Sequence, residues 1–379
     1  MSGAVKTNDS SVVCRVLQLA SGDLWAGAEV QLFHLACYLQ KSTKVEVRVV
    51  LLNSGELQQR LEAAGVAVSV ISESKHGFFR LMLLLLRISR EFRSDVIHTH
   101  RQKENLLGSV VARLSGIRSM RTVHGANEHP PQRKQILKRL RNFADRFVGQ
   151  WFQFKIVSVS ADLATILSAV YRRGQVVTIA NGVNVSAVQS AAIEQRRELP
   201  GGQIKVAFVG RMVAVKRIDL FVDIARLASE QAPGQFQFFA IGDGPMLEFA
   251  QRQAAGYGLG DQLVFTGFRA DSLGWLASMD CLCVVSDHEG LPMVLLEAMA
   301  LKVLVVARDV GGIGHALHGG DAGKLIATDD PQHFVDALTA LSGDVDLSAQ
   351  YRSAASSRLM QYFSVEVMAE QYIVQYLSE

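Results

Sequence analysis

The chain has 379 residues, 49% of them hydrophobic and 20% charged, a balance that suits a globular protein with room for two sizeable cores. The N-terminal segment MSGAVKTNDSSVVCRV carries no apolar signal, and the greasiest run, Leu81 to Leu86, is too short to span a bilayer, so a cytoplasmic location is expected. The formal charge of +3 conceals a division: residues 1–185 hold 25 Lys and Arg against 13 Asp and Glu, net +12, and the remainder holds 14 against 23, net −9. A basic half with no base-reading motif excludes a nucleic-acid partner in favour of contact with an acidic surface, such as the anionic inner face of the cell membrane.

In chain order, the first half opens with an apolar strand at Val12 to Ala20, the loop SGDLWAGAE and a helix from about Val30 to Leu39. Short β-branched runs follow at Val45 to Leu52, Val66 to Ile71, Asp95 to His100, Met120 to Gly125 and Phe154 to Ser160, each separated by a helical pattern. That alternation predicts a doubly wound parallel sheet, with ligands at the carboxyl ends of the strands. Gly27, His98, His100 and His124 fall at those ends. A lone histidine there is often only a satisfied polar residue, but three at neighbouring strand ends predict that at least one faces a cleft. The four cysteines, Cys14, Cys37, Cys281 and Cys283, lack metal-ligand spacing and read as buried free thiols, the last two on one strand face.

Two helical segments mix an apolar stripe with basic residues, Phe78 to Phe92 and Gln132 to Phe154. In the second, Ile136, Leu140, Phe143 and Phe147 share a face, and six basic residues accompany one acid between Gln132 and Arg146. Such a helix either docks on its own domain with its basic face in water or lies on anionic lipid. After VVTIANGVNV the pattern lapses into SAVQSAAIEQRRELPGG, which predicts a linker over residues 186–202 between domains at 1–185 and 203–362. A second alternating series runs through Ile204 to Gly210, Phe236 to Gly242, Gln262 to Gly267, Cys281 to Ser286 and Val303 to Arg308, giving a second Rossmann-like domain.

Within this second series, Arg211 directly follows the strand-ending Gly210, and Lys216 lies five residues on. Two cations at a sheet's carboxyl edge suit the two phosphates of a diphosphate, although two cations on a loop are often merely solvated. Gly242 opens the tight turn of IGDGP, and FTGF ends the next strand at Phe268. From Val284 to Ala300, VVSDHEGLPMVLLEAMA reads as strand, tight turn and helix start: Gly290 lets the backbone approach a ligand, Leu291 follows, and Pro292 suits a first helical turn. The free N–H groups of that helix would face an anion. Glu289 on the loop and Glu297 inside the helix have no basic partner nearby in sequence, and carboxylates accept hydrogen bonds only, so both look aimed at hydroxyl groups. The absence of a G-x-G-x-x-G turn in strand-to-helix context and of a phosphate-loop motif argues against dinucleotide dehydrogenases and NTPases.

Taken in order, AGAE, TVHG, ANGVN, GRMVAVKR, GDGP, VFTG, the pair Glu289 and Glu297, VGG and the closing FSVEVMAEQY resemble the retaining glycosyltransferases of family 4, with the GT-B fold of two Rossmann-like domains facing across a cleft. The resemblance implies that Arg211 and Lys216 hold the donor diphosphate, Glu297 the ribose and Glu289 the transferred sugar. It also implies that Phe268 flanks the base, Gly27 approaches the diphosphate and His124 lies near the scissile bond. It implies a UDP- or GDP-linked donor, a glycan or lipid-linked acceptor, no divalent metal or other cofactor, and a last helix over about Val365 to Leu377 that crosses back to the first domain. The chain departs from the family pattern in carrying Arg217 where a glycine is usual, and Gly314 and His315 where proline and an acid are usual. The expected reaction moves a sugar with retention and uses no protein nucleophile. Competing readings are a nucleotide-sugar epimerase of the same double fold, a transferase acting on a small soluble acceptor, and a non-catalytic partner subunit, which would have lost the charged site residues.

Overall fold

The computed structural model describes residues 13–23, 25–125 and 136–378. Seven parallel strands form the first sheet: β1 (Cys14–Ala20), β2 (Val45–Leu51), β3 (Ala67–Val70), β4 (Val96–Thr99), β5 (Arg118–Val123), β6 (Lys155–Ser158) and β7 (Val176–Thr178), in the order β3-β2-β1-β4-β5-β6-β7. Six more form the second: β8 (Ile204–Val209), β9 (Phe236–Ile241), β10 (Leu263–Gly267), β11 (Cys281–Val284), β12 (Leu304–Arg308) and β13 (Lys324–Ile326), in the order β10-β9-β8-β11-β12-β13. This is the expected α/β arrangement of two doubly wound sheets. In each, the order reverses beside the first strand of the sheet, between β1 and β4 and between β8 and β11, which opens a crevice at the carboxyl edge.

Central strands are apolar on both faces because helices cover both sides. Val16, Leu17 and Leu19 of β1 and Val206 and Ala207 of β8 are fully buried. Polar side chains interrupt this pattern at Gln18 in the middle of β1, His98 and Thr99 of β4 and Thr122 of β5, all without exposure. One apolar cluster runs from Val123, Ile156 and Val159 of the first half into Leu291, Met293 and Leu295 of the second, so the halves share packed surface. The closing helix, Val365–Leu377, lays Met368, Tyr372, Ile373 and Tyr376 against Cys14, Val16, Leu35 and Val96 of the first half.

Several elements differ from their sequence-based outlines. The stretch expected as linker holds a helix, Val185–Gln195: Asn184 accepts from the Ala187 N–H as its cap, and Val188 and Ala192, one turn apart, are buried. The first helix begins at Gly27, before Val30. Pro292 takes the cap position of the helix Met293–Ala300, one residue before its first turn. The helix Ile136–Phe152 docks through the face opposite its aromatic residues: Asp145 is buried against Arg121 at 2.9 Å and accepts from Asn105 at 2.7 Å, and Val148 is buried beside it. Phe143, Phe147 and Trp151 are left 70%, 48% and 59% exposed. Arg133 and Lys134 of the same basic segment lie outside the described residues. Cys14, Cys281 and Cys283 are buried free thiols, while Cys37 is half-buried and free.

Candidate active site

At the carboxyl end of β8 the chain turns through Gly210 and Arg211 into a short helical turn, Ala214–Lys216. The amide of Asp287 donates to the Val215 carbonyl at 2.9 Å, tying this loop to the one after β11. Across that seam Lys216 Nζ donates to Glu289 Oε1 at 2.5 Å, and Ser286 Oγ donates to the same oxygen at 2.6 Å. Glu289 is 8% exposed, and its Oε2 has no partner among the described residues. Glu289 has no basic partner nearby in sequence, as read above; the fold supplies one in Lys216, 73 positions away. Arg211 is exposed, and its guanidinium has no ion-pair or hydrogen-bond partner among the described residues. Arg217 has φ of 52°, the left-handed region that favours glycine, and its ion pairs with Asp219 and Asp287, both at 3.0 Å, help to offset that strain.

The loop after β11 runs against the other half of the chain. A Cβ on Gly290 would stand 2.1 Å from the His124 carbonyl oxygen, so only glycine lets these two backbones meet. Asn181 Nδ2 donates to the Leu291 carbonyl at 2.7 Å, which also holds the loop from the first half. Beyond it the helix Met293–Ala300 starts without a side-chain cap, as does the helix Gly27–Leu39. The two starts are neighbours, because a Cβ on Gly27 would lie 3.8 Å from Met293 Cγ. Two helix starts without a side-chain cap, and with them two positive helix ends, thus converge at one point between the sheets.

One turn into its helix, the Glu297 carboxyl has no hydrogen-bond or ion-pair partner among the described residues, and burial raises its pKa to about 7. Its carboxyl group is thus half ready to ionise at neutral pH and available to a hydroxyl donor. Gly242, at φ of 139°, follows β9, and a Cβ there would meet the Gly210 carbonyl oxygen at 2.0 Å. Phe268, just after β10, is 59% exposed at the same sheet edge, and Leu291 is buried. Gly210, Arg211, Lys216, Gly242, Glu289, Gly290, Leu291, Glu297 and Phe268 therefore all lie on loops or the helix at the carboxyl edge of the second sheet, with Gly27 and His124 reaching it from the first.

The three histidines form one group, with His98 and His100 buried and His124 half-buried. His100 Nδ1 lies 3.2 Å from His124 Nε2, and His98 is held between Tyr376 Oη at 2.7 Å and Thr122 Oγ1 at 2.8 Å. Burial lowers the pKa of His124 and of His98 to about 3 and that of His100 well below its ordinary value, so all three are neutral. Beside them Arg101 pairs with the buried Glu29 at 2.5 Å. Gln18, Arg101, Asn181, Ser286, Tyr372 and Tyr376 were missed by sequence reasoning. Gln18 could have been found, as a polar residue inside an apolar central strand. Among the described residues no three His, Cys, Asp or Glu side chains come together as a metal-binding group.

The sequence and the fold match known proteins. The sequence model of the glycosyl transferases group 1 matches residues 203–344, and that of glycosyltransferase family 4 matches residues 25–187. The chain belongs to this glycosyltransferase family and is a glycosyltransferase of the GT-B type. It is 22% identical over 341 residues, 84% of the chain and 88% of the relative, to a UDP-Gal:alpha-D-GlcNAc-diphosphoundecaprenol alpha-1,3-galactosyltransferase of Escherichia coli. It is 30% identical over 228 residues, 57% of the chain and 65% of the relative, to the lipopolysaccharide core biosynthesis mannosyltransferase LpsB of Rhizobium meliloti. Among solved structures, Anabaena HepE in complex with UDP-glucose superimposes with a TM-score of 0.82 at 22% identity, covering 96% of this chain and 99% of that one. The sucrose-phosphate synthase of Thermosynechococcus elongatus gives 0.77 at 18% identity, covering 96% and 98%.

Proposed function

We propose that this glycosyltransferase moves a sugar from a nucleotide-diphosphate donor, UDP- or GDP-linked, to a lipid-linked glycan acceptor in surface polysaccharide synthesis, with retention at the anomeric carbon. The observation that carries the donor class is the convergence of two uncapped helix starts beside Arg211 and Lys216. That arrangement supplies donors and positive potential for a diphosphate without a cation, and on this reading the reaction needs no metal. Glu297 holds the ribose hydroxyls, Glu289 Oε2 accepts from a hydroxyl of the transferred sugar, and Phe268 lies along the base. Lys216 then bridges Glu289 and the phosphates, so sugar and leaving group are gripped by one connected unit.

In the reaction the bond from the anomeric carbon to the diphosphate oxygen breaks, and the acceptor hydroxyl attacks from the same face through an oxocarbenium-like state. Its proton passes to the departing diphosphate. Catalysis comes from stabilising the charge that grows on that leaving group.

The acceptor reading draws on the two bacterial relatives named above and on the first half's net charge of +12, whose basic helix turns Phe143, Phe147 and Trp151 outward. Among the described residues no helix is long and apolar enough to cross a membrane, so contact with the inner leaflet would be peripheral. A panel of UDP-glucose, UDP-galactose, UDP-N-acetylglucosamine, GDP-mannose and the free nucleotides, followed by thermal shift, tests the donor class, because a bound donor raises the melting temperature by mass action. No shift with any member would overturn it. Turnover of the stabilising donor without acceptor to an altered nucleotide sugar would instead indicate an epimerase.

A further inference from the structure

Behind His124 runs a chain of buried hydrogen bonds that the transfer mechanism above leaves unused. Gln18 Nε2 donates to Tyr376 Oη at 2.9 Å, which leaves Gln18 Oε1 facing His100 Nε2 at 2.7 Å. An amide oxygen only accepts, so His100 Nε2 carries the proton. A neutral imidazole holds one proton, so His100 Nδ1 is a lone pair, and His124 Nε2, 3.2 Å away, must be the donor to it. The two rings meet edge to edge, 22° apart in plane with centroids 5.5 Å apart. By the same count His124 Nδ1 is left as a lone pair, and that atom is buried with no partner among the described residues.

The far end of the chain is equally determined. Tyr376 Oη, accepting from Gln18, donates its own proton to His98 Nδ1 at 2.7 Å, so His98 Nε2 donates to Thr122 Oγ1 at 2.8 Å. Gln18, His98 and Tyr376 are all fully buried, and Tyr376 is fixed by the closing helix. The group whose state is being set lies at the donor loop, since the His124 backbone is in contact with Gly290.

We propose that Gln18, acting through His100, holds His124 in its Nε2–H tautomer, so that Nδ1 stands as the hydrogen-bond acceptor for a hydroxyl of the donor sugar. Gln18 is then a positioning residue, and its amide orientation decides the polarity of the whole chain. Turning that amide over would reverse every bond and present His124 Nδ1–H as a donor. The inference rests on the donor reading given above, but its first test does not.

Full-length protein labelled with ring-15N histidine gives two-bond proton–nitrogen spectra in which the two tautomers differ, with His124 assigned by the signals lost in His124→Gln. The expected result is an unprotonated Nδ1 and a protonated Nε2. A protonated Nδ1, or an even mixture, overturns the proposal. Adding the nucleotide sugar that gives the largest thermal shift among UDP-glucose, UDP-galactose, UDP-N-acetylglucosamine and GDP-mannose should move the His124 Nδ1 resonance, and an unmoved resonance removes the hydroxyl. Gln18→Met keeps the bulk and loses both polar atoms. It should produce a tautomer mixture at His124 and lower kcat/KM on that donor about tenfold, the worth of one misdirected hydrogen bond. A pure tautomer in that variant, or a mixture with unchanged kcat/KM, overturns the role of Gln18. Should no nucleotide sugar bind, the donor reading fails by itself and the wild-type spectrum still decides the tautomer.

Discussion

Arg211 and Lys216 differ in what surrounds them, and that difference sorts their variants. Lys216 is engaged with Glu289 at 2.5 Å, so Lys216→Ala removes the proposed phosphate contact and also leaves the largely buried Glu289 with Ser286 alone. Arg211 has no partner to disturb. Each alanine variant is expected to lower donor turnover on the order of a hundredfold, as loss of leaving-group stabilisation does, but only Lys216→Ala should also lower the melting temperature. Full turnover in both would remove the diphosphate assignment. Glu297 gives a prediction in pH. Burial raises its pKa from the ordinary 4.5 to about 7, so the fold favours the protonated form, and the stability penalty of ionising it grows as pH rises from the lower value to the upper. Glu297→Gln should therefore melt like wild type near about pH 5 and above it near about pH 8, while binding free nucleotide more weakly at the higher pH. Equal nucleotide affinity in both proteins at about pH 8 would end the ribose role. These site residues were legible because each follows a strand or opens a helix. Their partners were not, since Lys216 and Glu289 meet across 73 positions and His98 and Tyr376 across 278.

Elements were readable wherever a strand is buried on both faces, since its continuous apolar run differs in period from the helices around it. β7 and β13 escaped because each has three residues and no interior to show a pattern. The helix Val185–Gln195 escaped for another reason: only Val188 and Ala192 are buried, so its apolar stripe is two small residues wide, and the cap at Asn184 was its clearest signal. The aromatic side of Ile136–Phe152 was read as one candidate docking face, whereas the helix turns on a buried ion pair, Asp145 with Arg121, that no apolar periodicity reveals. Contact between loops is the least legible feature, and Gly290 is the case that can be tested. Its α-carbon side faces the His124 carbonyl and Val159 Cγ2, with a Cβ 2.1 and 3.0 Å away, and neither is the loose end of a flexible chain. Gly290→Ala should cost about 1–3 kcal/mol by overpacking. Because it pushes the donor loop off the first half, donor turnover should fall further than stability alone explains. Denaturant melts and turnover measured on the same preparation check this, and wild-type values in both would show that the loops separate freely.

The whole molecule is polarised, with net +12 over residues 1–185 and −9 over the remainder, and two helices of the basic half turn apolar side chains outward. Phe143, Phe147 and Trp151 on Ile136–Phe152 are exposed, as are Phe78, Phe79 and Leu83 on the helix Phe78–Phe92. The helix Gln102–Ser115 packs between these two, so both sets belong to one helical layer of the first half. Apolar side chains among basic ones suit the headgroup region of an anionic leaflet, where each cation near the surface contributes about 1 kcal/mol and the attraction fades within a Debye length. A lipid-linked acceptor would then be met at the surface where it resides. The expected outcome is sedimentation with anionic vesicles at low salt, weaker at high salt, and little with neutral vesicles. Two variants separate the contributions. Changing Arg133, Lys134, Lys138 and Arg139 to glutamine should reduce binding mainly at low salt, whereas Phe143→Ser with Trp151→Ser should reduce what remains at high salt. Neither should alter donor-induced thermal shift, because none of the changed residues is among those proposed to hold the donor. Equal failure of the wild type to bind either vesicle would leave a soluble acidic acceptor as the partner of the basic half, and the donor chemistry would stand without the membrane.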